Sequence, residues 1–100
     1  MTLDDLLRDL HALREDLMVF ERKYNTPTEV FVDAYRHGEE PADSSWVLDW
    51  SDWAATFELL QERLAQYSAG VNRVLEGNQI NSLSQLMERT ARHEPIAVPA

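Results

Sequence analysis

Apolar side chains recur at alternating intervals of three and four residues from Leu3 through Leu6, Leu10, Leu13, Leu17 and Phe20 to Tyr24. A strand would put successive members of such a series on opposite faces, whereas a helix gathers them into one stripe, so the pattern demands helix over about 3–24. Thr2 is placed to cap its start, Asp4 and Asp5 sit where the helix dipole favours negative charge, and Arg22 and Lys23 sit where it favours positive charge. A second series with the same alternation runs Trp46, Trp50, Trp53, Phe57, Leu60, Leu64, Tyr67, Val71. Two stripes of equal period are complementary. An antiparallel hairpin of helices over about 3–24 and 45–69 buries both.

The connection carries its own punctuation. Asn25 ends the first helix, and Thr26-Pro27-Thr28-Glu29 reads as a capping box with Pro27 at the first helical position. A short helix over about 27–37 follows, with Val30, Phe31, Ala34 and Tyr35 as its apolar stripe and Gly38 as its left-handed stop. Residues 39–45 read as a loop, and Asp43, Ser44 or Ser45 caps the helix after it. Gly70 either ends that helix near Ala69 or weakens it by about 1 kcal/mol, and the sequence leaves both open. Gly77-Asn78 is a firmer stop. Ser82-Leu83-Ser84-Gln85 is a second capping box opening a short helix over about 83–92, and Pro95 excludes its extension.

The expected fold is therefore all-α. Residues 1–77 form a helical core domain, and 78–100 a short helix plus a flexible tail. With 44% hydrophobic and 27% charged residues, the chain of 100 residues is too apolar for disorder and sized for one domain. Two sustained seams can also pair between chains, so a dimeric bundle stays open as an alternative.

Charge narrows the function. The formal charge is −9, and it is uneven: residues 25–60 hold eight acids and one base, while residues 61–100 hold four of each. Such a field repels phosphate backbones and anionic membranes, which disfavours direct nucleic-acid binding. Only Arg63, Arg73, Arg89 and Arg92 offer a basic set, within a neutral segment. No run approaches ~18 apolar residues, and the first residues lack the basic flank and apolar stretch of a signal peptide, so neither membrane insertion nor export is expected. The absence of cysteine fits a cytoplasmic protein.

Little points to catalysis. The histidines His11, His37 and His93 lie on three separate segments, and His11 with Glu15, at i, i+4 spacing, is read as a solvated contact. The three glycines stand alone, with no phosphate-binding loop, and Ser44 and Ser45 read as loop and cap residues. No cofactor, metal site or catalytic residue is expected.

Three tryptophans on one helix have two readings. One is core packing. The other makes Trp46, Trp50 and Trp53 aromatic anchors for another chain, rimmed by Glu39, Glu40, Asp43, Asp49 and Asp52. The stretch Phe20-Glu21-Arg22-Lys23-Tyr24, then Thr26-Pro27-Thr28-Glu29-Val30-Phe31, Gly38-Glu39, Asp43 and the tryptophan helix resembles small bacterial and archaeal helical proteins with a Phe-Glu-x-Lys-Tyr-Gly, Ser/Thr-x-x-Glu-x-Phe, Gly-Glu, Asp, Trp pattern. These are often encoded beside a small toxin-like protein and are taken to be the antitoxin of the pair. The match covers about residues 20–60; Asn25 stands where glycine is usual, and residues 71–100 have no counterpart. The resemblance implies neutralisation of a small basic toxin by binding, with residues 78–100 as a strap. The alternative is a self-associating coiled-coil scaffold or adaptor.

Overall fold

Helical periodicity is realised throughout the computed structural model, which describes residues 2–77, 82–91 and 98. In chain order the elements are α1 (Leu3–Tyr24), α2 (Thr28–Arg36), a 3-10 turn (Ser44–Trp46), α3 (Val47–Gly77) and α4 (Leu83–Ala91), with no strand among the described residues. The tail expected over 93–100 lies outside the described residues apart from Val98, as does the last expected residue of α4. No helix among the described residues is long and apolar enough to cross a membrane.

The caps explain where the helices start, and one differs from expectation. Thr2 and Asp5 form a reciprocal box: the Asp5 N–H donates to Thr2 Oγ1 at 3.1 Å, and the Thr2 N–H to Asp5 Oδ2 at 3.0 Å. These bonds favour the ionised form and hold the Asp5 carboxyl below its ordinary value. Asn25, at φ 49°, turns the chain out of α1. The capping box expected at Thr26 does not form. Pro27 is the N-cap, without a side-chain hydrogen bond, and α2 begins one residue later than expected, at Thr28. Glu21 of α1 takes over the cap, its Oε2 accepting from the Thr28 N–H at 2.9 Å and the Thr28 hydroxyl at 2.8 Å. At the other end Gly38, at φ 85°, supplies the left-handed stop. Of the three residues able to cap the next element, Asp43 does so, accepting from the Ser45 N–H and hydroxyl, each at 2.8 Å. Ser82 Oγ accepts from the Gln85 N–H at 3.2 Å and so opens α4.

Contacts divide the chain into two compact units, neither boundary coinciding with the division at 77/78 drawn from the sequence. The first comprises Met1–Leu10 with Glu62–Ala100. Here the start of α1 runs antiparallel to the end of α3, with Leu3 at Gly70 and Asp9 paired with Arg63 at 3.3 Å. Leu3, Leu6, Val74 and Leu86 form its core, with Tyr67, Val71, Leu75 and Val98 packed around them. Gly70 does not end the helix, which runs on to Gly77. A Cβ there would lie 3.1 Å from both Leu3 Cδ2 and Val98 Cγ2, so a close approach accounts for the glycine. Val74 is fully buried while Val71, the last member of the expected seam, is half-buried. An α-helix repeats every 3.6 residues and the seam every 3.5, so the inward face drifts along α3.

The second unit is His11–Gln61. The rest of α1 runs antiparallel to the start of α3, with Phe20 beside Trp53 and Tyr24 beside Trp46. Leu17, Phe31, Val32, Trp53, Ala54 and Leu60 are buried. On α2 the inward side is Thr28, Phe31 and Val32, whereas Val30 and Tyr35, assigned to the stripe from sequence, are exposed.

Candidate functional site

The tryptophans separate into different environments. Trp53 is 1% exposed and belongs to the interior, so it is not an outward anchor. Phe31 stacks on it at 3.9 Å with parallel rings, Phe20 and Tyr24 stack at 5.7 Å, and its Nε1 donates to Thr28 Oγ1 at 3.0 Å. The indole N–H that burial would orphan is thereby satisfied. Trp46 and Trp50 are half-buried. Trp46 meets Tyr24 edge-on at 5.5 Å, and Trp50 meets Phe31 edge-on at 5.2 Å. The Trp50 Nε1 is buried without a hydrogen-bond partner.

These rings surround a cavity of about 300 Å³. Tyr24, Phe31, Trp46, Trp50 and Trp53 supply aromatic walls, while Thr26, Val30 and Ala34 complete the apolar part. Glu39 lines it too and is solvent-exposed. Gly38 positions it: the left-handed turn brings the Glu39 N–H back onto the Ala34 carbonyl at 3.1 Å.

The other acidic residues have separate positions. Asp49 Oδ2 accepts from Lys23 Nζ and from the Tyr24 hydroxyl, each at 2.6 Å. These bonds hold its carboxyl below the ordinary value, whereas burial and the Asp49 charge push the Tyr24 phenol up to about 12. Asp49 is thus a bracket between α1 and α3 within this unit. Asp43 is committed to its cap, and the bonds from Ser45 hold its carboxyl below the ordinary value as well. Glu40 is exposed. Asp52 lines a different feature, an open groove of about 460 Å³ that also involves Asp16, Val19, Phe20, Ala55 and Leu59. Of the eight residues singled out in the sequence, the structure therefore gathers Trp46, Trp50, Trp53 and Glu39 around one cavity, with Asp49 attached through Tyr24.

Sequence reasoning missed Tyr24, Thr26, Val30, Phe31 and Ala34 as cavity walls, because each was absorbed into a helix stripe or cap. The signal available was the pair of aromatics Tyr24 and Phe31 on either side of the turn between the first two helices.

For metal chemistry, no group of three or more His, Cys, Asp or Glu among the described residues is placed to hold an ion. His11 and Glu15 are both exposed, and His37 Nδ1 lies 2.7 Å from the Asp33 carbonyl. In comparisons with family models, curated proteins and solved structures, nothing matches this chain.

Proposed function

We propose that this chain works by binding another protein, in the manner of an antitoxin that neutralises a small basic partner. The supporting observation is the exposed apolar surface of the acidic middle segment. Val30, Val47 and Leu48 are 59%, 51% and 77% exposed, within a stretch whose eight acids outnumber one base. Large exposed apolar side chains are an unused contact area, and the surrounding negative field accelerates encounter with a basic surface while discouraging nucleic acid. A toxin that grips nucleic acid through such a surface is blocked when this face covers it. The resemblance over residues 20–60 supports the same reading, and a cytoplasmic place of action accords with it.

The test is co-expression of the neighbouring open reading frame with and without this one. Growth arrest by the neighbour alone, relieved when both are made, is the expected result; equal growth in the two conditions removes the proposal.

A second reading, self-association, draws on the open groove, where Val19 and Leu59 are 60% and 37% exposed. A helix of a second copy would cover them. Light scattering at micromolar concentration distinguishes the two: a dimer favours the scaffold, a monomer the neutraliser.

A further inference from the structure

We infer that the aromatic cavity of the second unit is a receptor for a single cationic side chain of a partner protein, arginine in preference to lysine. This rests on the binding reading above and names the chemistry that the site selects.

Size comes first. At about 300 Å³ the cavity lies at the bottom of the range for small-molecule sites, too small for a typical cofactor and suited to one inserted side chain. Its walls come next. Tyr24 and Trp46 lie at 75° to one another, and Phe31 and Trp50 at 82°, so the rings that line the cavity are not coplanar. Aromatic faces carry a negative quadrupole and attract a cation held over them.

Charge decides between a cation and a neutral group. Among the lining residues Glu39 is the one carboxylate, and the Tyr24 phenol, pushed up to about 12, is neutral at physiological pH. Glu39 makes no ion pair among the described residues, so its carboxylate remains available to an incoming cation. The nearby base Lys23 is already paired with Asp49. It also lies 5.6 Å from the Tyr24 ring centroid, so this ring already engages one cation. A planar guanidinium both stacks on indole and presents a fork of N–H donors that matches a carboxylate, which an ammonium does not.

The experiment uses the full chain and three capped pentapeptides, Gly-Gly-X-Gly-Gly, with X arginine, lysine or norleucine, read by the indole N–H resonances of Trp46 and Trp50. Saturable shifts are expected with the arginine peptide. Binding should weaken with lysine, equal binding of lysine and arginine overturning the preference. It should weaken by about fivefold or more with norleucine and by a similar factor in Glu39→Gln, the loss corresponding to one charged contact. Glu39→Gln is exposed and isosteric and leaves the fold intact, so it remains informative even if Trp46→Leu does not fold. Absence of shifts at millimolar peptide, or equal binding of norleucine and arginine, overturns the inference. So do shifts that follow protein concentration alone, which would make a second copy the occupant. Rescue of growth without peptide binding removes the receptor and keeps the neutraliser; peptide binding without rescue does the reverse.

Discussion

Trp53 Nε1 donates to Thr28 Oγ1 at 3.0 Å, and the Thr28 hydroxyl donates onward to Glu21 Oε2 at 2.8 Å. One small hydroxyl on α2 thus satisfies an indole on α3 and a carboxylate on α1. Thr28 is itself only 2% exposed and Trp53 1%, so the indole N–H cannot turn to water without disturbing the packing. Replacing Thr28 with valine keeps the shape and removes the hydroxyl, stranding the buried indole N–H. The expected cost is about 1–3 kcal/mol, read as a lower urea midpoint, with Thr28→Ser closer to the parent. Equal midpoints for the valine variant and the parent would contradict the relay.

Gly70 presents a contest of two effects of similar size. In an unconstrained helix Gly→Ala contributes about 1 kcal/mol of stability, but an added methyl in a tight core costs about 1–3 kcal/mol. Here the new Cβ would meet Leu3 Cδ2 and Val98 Cγ2 at 3.1 Å, and Leu3 is 1% exposed and fixed within its cluster. Gly70→Ala is expected to destabilise the parent. In a Leu3→Ala background one of the two close contacts is removed while that to Val98 stays, so the same substitution should cost less than in the parent. A double-mutant cycle by urea unfolding measures the coupling, and additive effects would show that Leu3 does not set the glycine requirement.

How much of this was legible follows from the range of the forces. Leu3, Leu6, Leu10 and Leu17 are buried as their spacing requires, because a helix stripe is a local property of the chain. Asn25 and Gly38 adopt the left-handed turns for which their side chains are suited. What the sequence misplaced depends on residues far apart. Gly70 looks like a stop until Leu3 is seen beside it, and Thr26 looks like a cap until Glu21 is seen to reach Thr28. Trp53 and Trp46 occupy equivalent seam positions, yet only Trp53 is enclosed, since α2 brings Phe31 onto its face. The cavity was invisible for the same reason. It exists only where three helices converge.

Asp49 and Tyr24 act on opposite limbs of the stability profile, with Asp5 and Asp43 adding to the acid limb in the same sense as Asp49. Hydrogen bonds from Lys23 and Tyr24 lower the Asp49 pKa in the folded state, so the unfolded state binds more protons in acid. Its contribution is present above the ordinary carboxyl value of 3.8 and is lost as pH falls through the folded value. Tyr24 acts in the opposite sense. Its folded pKa is raised from 10.0 to about 12, so its contribution is complete below 10 and disappears as pH rises towards 12. Asp49→Asn should flatten the acid limb and Tyr24→Phe the alkaline limb. Stability measured by denaturant unfolding at a series of pH values resolves the two, and an alkaline limb unchanged by Tyr24→Phe would count against the assignment.

The start of α2 separates a local cap from a tertiary one. Sequence favours Thr26 as the cap, but its hydroxyl donates backwards to the Tyr24 carbonyl at 2.9 Å and serves the turn after α1. Glu21 Oε2 instead accepts both the backbone and side-chain donors of Thr28. A charged acceptor with two donors in a part-buried setting is worth more than a neutral exposed cap. Glu21→Ala is therefore expected to cost about 1–3 kcal/mol, whereas Thr26→Ala should cost less than about 1 kcal/mol. Glu21→Gln, which retains an acceptor oxygen but no charge, should fall between them. Hydrogen exchange at the Thr28 amide provides a local reading alongside global unfolding: its protection should collapse in Glu21→Ala and survive in Thr26→Ala. The reverse order would return the cap to the local sequence motif and detach Glu21 from the support of Trp53.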